Sequence, residues 1–222
     1  MSQAACIPAG FYLDDSRQSG HSNSMSGRKQ FDETTALDAA TRQFWQYGFA
    51  NTSISNLESA TGLNKSSLYN CFKNKEQLFQ LCLDHFEQHY VSRVLRALVE
   101  PDFRTALEQL FELAIDTFND PKFPTGCLAT RTALDNIDPN SPVFGLIQAQ
   151  ATRVESAIYA RCKQALTDTQ VPENTDCKAM AATIHAMLRG VLVLSCANGS
   201  TDAAHSAYRF FIRSILAQNR AG

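Results

Sequence analysis

With 222 residues, 44% of them apolar, the chain is long enough to bury more than one core and exceeds a lone binding module. Its 20 Lys and Arg against 22 Asp and Glu leave a formal net charge of −2, which excludes a global positive field as the basis of nucleic-acid binding. Seven cysteines, Cys6, Cys71, Cys82, Cys127, Cys162, Cys177 and Cys196, form no C-x-x-C pair in a chain too large to need disulfide staples, so they read as reduced thiols.

Residues 1–24 are rich in Ser, Asp and Gly and lack the apolar core of a signal peptide, so they read as a disordered extension. From 32 to 47 the apolar positions Leu37, Ala40, Phe44 and Trp45 keep helical spacing, and Gly48 follows as a stop. Thr52 or Ser53 can then cap a short helix with a buried stripe of Ile54, Leu57 and Ala60. Gly62 permits a left-handed turn, Leu63 anchors it, and Asn64 is a good cap for a second helix. Two helices joined this tightly form a helix-turn-helix. In the second helix, Leu68 and Phe72 share the inner face, while Ser66 and Asn70 point outward with Ser67 and Tyr69 beside them.

Such a small polar and aromatic face suits a major groove, where Asn bonds an adenine edge and Ser donates or accepts. Lys65 sits where a backbone phosphate would lie. Asn74 caps the next helix, whose first N–H groups, with Lys75, would clamp a phosphate and set register. The candidate DNA-contacting residues are therefore Thr52, Ser53, Lys65, Ser66, Ser67, Tyr69, Asn70 and Lys75, within a DNA-binding domain at 25–79. Its basic residues only slightly outnumber its acidic ones, so few phosphates are held per subunit.

Gly48-Phe49, Thr52-Ser53, Leu57, Gly62, Leu63, Lys65, Leu68, Tyr69, Phe72 and Lys75-Glu76-Gln77-Leu78-Phe79, as a set, resemble the DNA-binding domain of TetR/AcrR-type transcriptional regulators. The similarity covers about one quarter of the chain. Glu58 and Cys71 depart from it: the family commonly has Ala at the first position and an aromatic or His at the second. Ser26-Gly27-Arg28-Lys29 looks like the basic arm that precedes the first helix of such proteins, which makes Met25 an alternative start. The resemblance implies a cytoplasmic homodimer on a palindromic double-stranded operator and a body that binds a small-molecule effector. It also makes repression the expected mode.

Beyond the head, helical patterns run over 76–98, 103–118, 126–136, 142–166, 176–196 and 201–218, separated by Pro121, Pro124, Pro139, Pro172 and Gly199. The fold class is all-α: a three-helix head and a body of about six helices at 80–222, entered through the connecting helix at 76–98. No apolar run approaches the length of a membrane span, so no membrane role is expected. The last two helices carry apolar belts too broad for one core face. The resemblance implies that they pair with their symmetry mates in a four-helix interface.

Candidate effector-contacting residues are His85, Phe86, Phe111, Phe118, Cys127, Arg131, Phe144, Gln148 and His185, with Arg189 another polar group in an apolar helix. Arg131 can meet an anionic ligand, but the i,i+4 spacing favours a surface pair with Asp135. GCLATRTALD, 126–135, resembles a stretch that opens the sixth helix in one group of these regulators, where the thiol of Cys127 would be a redox or electrophile target; the alternative is a small packing residue. Cys82, His85 and His89 share a face at metal-ligand spacing, but no fourth ligand exists in sequence, so neither metal nor cofactor is expected. G-x-S-x-G, H-E-x-x-H, P-loop and G-x-G-x-x-G motifs are missing, and the chain reads as a regulator rather than an enzyme. The other readings are a DNA-binding adaptor with a filled body and a helical enzyme.

Overall fold

The computed structural model describes residues 33–135 and 137–217; the extension at 1–24, Met25 and the basic arm at 26–29 lie outside the described residues. Among the described residues all regular structure is helical. Helix α1, Glu33–Tyr47, buries Ala36, Ala40, Phe44 and Trp45. It stops at Gly48, whose φ of 78° only glycine adopts cheaply, and where a Cβ would lie 2.5 Å from the Asp135 carboxylate. Helices α2, Ile54–Thr61, and α3, Lys65–Phe72, form the expected corner. Of the predicted stripe on α2 only Leu57 is buried; Ile54 is half-buried and Ala60 exposed.

The connecting helix is not one regular α-helix. Helix α4, Lys75–Phe86, runs into a π-helical turn at Glu87–Val91, a single α-turn α5, Ser92–Leu95, and a 3₁₀ turn at Arg96–Val99. Apolar spacing does not distinguish i−4 from i−5 bonding, and the Ser92 hydroxyl donates to the Gln88 carbonyl inside the widened turn.

In the body, α6 is Phe103–Phe118, opened by Asp102 accepting from the Thr105 N–H at 2.8 Å. Helix α7 is only Leu128–Ala133, shorter than the pattern at 126–136: Gly126 has φ 87°, Cys127 is extended, and neither end has a side-chain cap. Helix α8, Pro142–Thr167, begins with Ser141 as cap and Pro142 at its first position. Asp176 caps α9, Cys177–Asn198, by accepting from the Lys178 and Ala179 N–H groups, and α10 spans Asp202–Ala217. By length and composition α9 could cross a membrane, with mean hydropathy 1.6 in its most apolar window. It carries Lys178, His185 and Arg189, however, and packs Ile184, Leu188, Val191 and Leu192 into the body. That is how the core helix of a helical domain behaves.

One buried apolar cluster runs from Ala40 in the head to Leu216 in α10, so head and body share a core. At the junction Trp45 is fully buried and meets Phe86, Tyr90, Phe118 and Phe123 at ring-centroid distances of 4.7, 4.8, 6.2 and 5.9 Å.

Candidate nucleic-acid interface

Three short-range caps build the reading surface. Ser53 and Asn56 cap α2 reciprocally, with Asn56 N–H to Ser53 Oγ at 3.1 Å and Ser53 N–H to Asn56 Oδ1 at 2.9 Å. Asn64 accepts from the Ser67 N–H at 2.8 Å to start α3, and Asn74 accepts from the Gln77 N–H at 2.7 Å to start α4. Gly62 takes the left-handed conformation between α2 and α3. Between α3 and α4, Lys73 sits at φ 62°, ψ −58°, and the Asn74 N–H bonds the Phe72 carbonyl at 2.8 Å. This is a positive-φ γ-turn, strained for a non-glycine residue, and sequence spacing gave no hint of it.

On α3, Leu68 and Phe72 face inward, Lys65, Ser66 and Asn70 are exposed, Tyr69 is 38% exposed, and Ser67 is half-buried. Two of the eight candidates also pack against the head core. Thr52 is buried, its hydroxyl donating to the Gly48 carbonyl at 2.7 Å, so it braces the link from α1 to α2. The Lys75 ammonium lies 4.1 Å from the Phe49 ring centroid, and burial lowers its pKa despite the opposing charges of Glu76 and Asp135. Its stem thus covers the head core while the charge stays at the α4 N-terminus.

The head is fastened to the body by polar contacts that sequence reasoning missed. The Trp45 indole N–H donates to the Gly126 carbonyl. Arg42 pairs with Asp38 at 2.9 Å, donates to the Lys122 carbonyl at 2.9 Å, and lies 4.8 Å from the Phe123 ring centroid. The Ala50 N–H donates to Asp135 Oδ2 at 2.9 Å. Asp135 is therefore not the partner expected for Arg131. Helix α7 ends at Ala133, so helical i,i+4 geometry does not reach Asp135, and the exposed Arg131 instead lies 3.5 Å from the Thr125 carbonyl.

The nine candidate effector residues do not line one cavity. Phe86 and Phe118 are packed in the core around Trp45, and Phe111 stacks on Tyr208 at 5.2 Å. Phe144 and Gln148 are exposed on α8, which turns that side of the helix outward. His185 and Cys127 belong to a polar network around Arg189. Its guanidinium donates to Thr130 Oγ1, to Gln150 Oε1 at 2.8 Å and to His185 Nε2 at 3.1 Å, with Cys127 Sγ 3.9 Å away. Burial, then the Arg189 charge, lowers the His185 pKa, against the pull of Glu155. Cys82 points into the core, where burial pushes its thiol up to about 12, so it does not converge with His85 and His89. Among the described residues, no three His, Cys, Asp or Glu side chains could hold a metal ion.

His85 does face space. A cleft of about 780 Å³ opens between head and body, lined by Thr34 and Asp38 of α1, His85, His89, Tyr90 and Arg93 of the connecting segment, and residues of α6 and the following loop through Phe123. His85 Nε2 lies 3.6 Å from Asp38 Oδ1, which joins the connecting helix to the head.

Residues 36–82 match the family of bacterial regulatory proteins, tetR family, and residues 104–211 match the tetracyclin repressor-like C-terminal domain. The chain is 25% identical over 167 residues to the HTH-type transcriptional repressor ComR of Escherichia coli K12, covering 74% of this chain and 80% of ComR. It is also 25% identical over 159 residues to the uncharacterized HTH-type regulator YezE of Bacillus subtilis 168, covering 71% and 82%. A solved structure of the TetR family regulator CifR, a cysteine mutant complexed with 26 bp double-strand operator DNA, superposes with TM-score 0.79 at 24% identity, covering 86% of this chain and all of that one. With an amino-terminal match over the capped helix-turn-helix and a carboxy-terminal match over the helical body, the chain belongs to the TetR family of DNA-binding transcriptional regulators.

Proposed function

We propose that this regulator is a homodimeric repressor that holds a palindromic operator and leaves it when a small molecule binds between head and body, acting in the cytoplasm. The observation that carries the reading is the exposed Ser66, Tyr69 and Asn70 surface on a capped α3, beside an α4 whose N-terminus is capped by Asn74 and carries Lys75. Asn70 and the serines would read base edges, while Lys65, Lys75 and the α4 N-terminus would hold phosphate. Dimerisation through α9 and α10 is supported by Val193 and Phe210, large apolar groups left 47% and 67% exposed on helices whose other faces are buried. Two recognition helices related by a two-fold axis read a palindrome. The ComR description and the operator complex of CifR support repression and duplex binding.

The cleft supports the effector step, because its walls come from both α1 and the body. A molecule that fits one head position better than another would shift the head relative to its symmetry mate. A second reading, an adaptor whose body serves protein contacts, is favoured by one observation: the candidate effector residue Phe111 and its apolar surroundings Leu110, Ala114 and Ile184 are packed at 0% exposure.

Selection of bound sequences from random duplex DNA by the purified chain, with its mass measured alongside, tests the proposal. A dimer that enriches a palindrome supports it, and the operator so obtained allows a screen for small molecules that release it. A dimer that enriches no site, or a monomer, overturns it.

A further inference from the structure

Glu58 stands at the entrance of the recognition helix. Its Oε1 accepts from the Lys65 N–H at 2.6 Å, seven residues on, so a side chain of α2 caps α3 from outside. With Asn64 holding the Ser67 N–H at 2.8 Å, two of the free donors opening α3 are already taken by side chains. A carboxylate is stabilised there by the partial positive charge of the helix end. Among the described residues no Lys, Arg or His lies in ion-pair contact with it. The Lys65 ammonium is turned back along α3, 5.9 Å from the Tyr69 ring centroid.

In a docked helix-turn-helix the recognition helix leads into the major groove with its N-terminus, while the preceding helix crosses the sugar-phosphate backbone. In that docking geometry the Glu58 carboxylate, held at the α3 N-terminus, would lie close to the phosphates that flank the groove. The lysines of this head among the described residues, Lys65 at the start of α3, Lys73 in the γ-turn and Lys75 at the start of α4, would have to hold the duplex against it.

We infer that Glu58 is a selectivity residue: its fixed negative charge penalises docking held by phosphates alone, so the head stays on duplex DNA only where base contacts from α3 are also made. A neutral side chain with the same acceptor would still cap α3, though more weakly, and would not repel phosphate. The inference rests on duplex binding by α3.

The test compares the full-length parent with Glu58→Gln, which keeps an acceptor oxygen and removes the charge, and with Glu58→Ala, which removes both. Binding is measured by fluorescence anisotropy on a random-sequence duplex and on the selected operator across a series of KCl concentrations. Thermal unfolding of each variant separates loss of the cap from loss of the charge. One charge several ångströms from a phosphate in a partly wet interface changes affinity by about three- to tenfold. Glu58→Gln is therefore expected to bind the random duplex about three- to tenfold tighter. Its salt slope should steepen by up to about one, and its operator-to-random ratio should fall. Glu58→Ala should show the same change in affinity ratio even if its Tm drops.

Glu58→Gln matching the parent on random duplex at every salt concentration would leave Glu58 as a helix cap and overturn the inference. A loss of operator affinity traced to one base pair, with random binding unchanged, would also overturn it, by making Glu58 a direct reader. A parent that binds no duplex at all would instead remove the DNA-binding reading on which the inference rests.

Discussion

The head and the body settle their polar groups in opposite ways. In the head, caps connect residues three apart, Ser53 with Asn56, Asn64 with Ser67, Asn74 with Gln77, and the longest bridge between α2 and α3 spans seven. In the body, Arg189 gathers Thr130 and Gln150 from 59 and 39 residues away, and Arg161 donates to the carbonyls of Glu100 and Pro101 from 61 and 60 away. A surface that must present side chains to a partner is best held by bonds that leave its outer face free. A body whose helices must stay in register needs bonds between helices.

The junction is where this contrast breaks most visibly. Trp45 belongs to the head by sequence, yet its ring is buried against Phe86, Tyr90, Phe118 and Phe123, and its N–H ends on Gly126. Trp45→Ala is expected to cost about 3–5 kcal/mol, the range for emptying a buried aromatic site. Urea unfolding monitored by circular dichroism checks it. A cost no larger than that of a surface substitution would mean that head and body do not share a core.

Arg189 tests the body side. Arg189→Met keeps most of the stem but leaves the buried Gln150 carbonyl and His185 imidazole without their donor. The expected loss is about 2–4 kcal/mol, the penalty for stranding buried polar groups. The same denaturation experiment reads it, with operator affinity per folded dimer unchanged. Full stability in Arg189→Met would make the network incidental.

This division explains what the sequence disclosed. The caps at Asn64 and Asn74 and the inward Leu68 and Phe72 are local features, so the helix-turn-helix and its outer face were legible from residue types and spacing. Thr52 was misplaced, because Thr52 and Ser53 are both good caps and only packing decides which is buried. The body helices were legible to within a few residues wherever a cap or proline marks them, as at Asp102 and Ser141-Pro142. What they enclose was not. Helical periodicity shows that Phe144 and Gln148 lie on α8, but not which side of α8 meets a neighbour, and nothing local links Trp45 to Gly126 or Asp135 to Ala50.

Within the head the two kinds of contact should separate on DNA. Asn70→Ala is expected to change preference among operator variants by about 1–3 kcal/mol at one position, as loss of a base-edge contact does. Lys75→Ala should weaken binding nearly uniformly and make the salt slope shallower by about one. Competition binding with operator variants at two salt concentrations distinguishes them. A Lys75→Ala variant that binds like the parent at both would confine Lys75 to its contact with Phe49.

The smallest expected effect concerns pH, and it belongs to the body and junction alone, since no histidine lies between 33 and 79. Burial, then the charge of His89, lowers the His85 pKa from its ordinary 6.5, although Asp38 pulls it back. His185 is lowered from the same value by burial and Arg189, opposed by Glu155. Both sit on the neutral side in the folded protein, so as pH falls through about 6.5 the unfolded chain takes up protons first and stability drops. Stability from these groups is fully present above the unfolded value and is lost toward the lowered folded values. Tm is therefore expected to fall between about pH 7.5 and about pH 5.5, and His85→Gln and His185→Gln should each flatten part of that slope. The head's intrinsic affinity, measured on protein still folded at the lower pH, should not follow the same curve. A Tm that stays level across this window would mean that the pull of Asp38 and Glu155 cancels the loss by burial, and one that rises on acidification would mean that the imidazoles gain more than they lose. The polar network of the body would then be a set of ion pairs rather than of neutral hydrogen bonds around a single guanidinium.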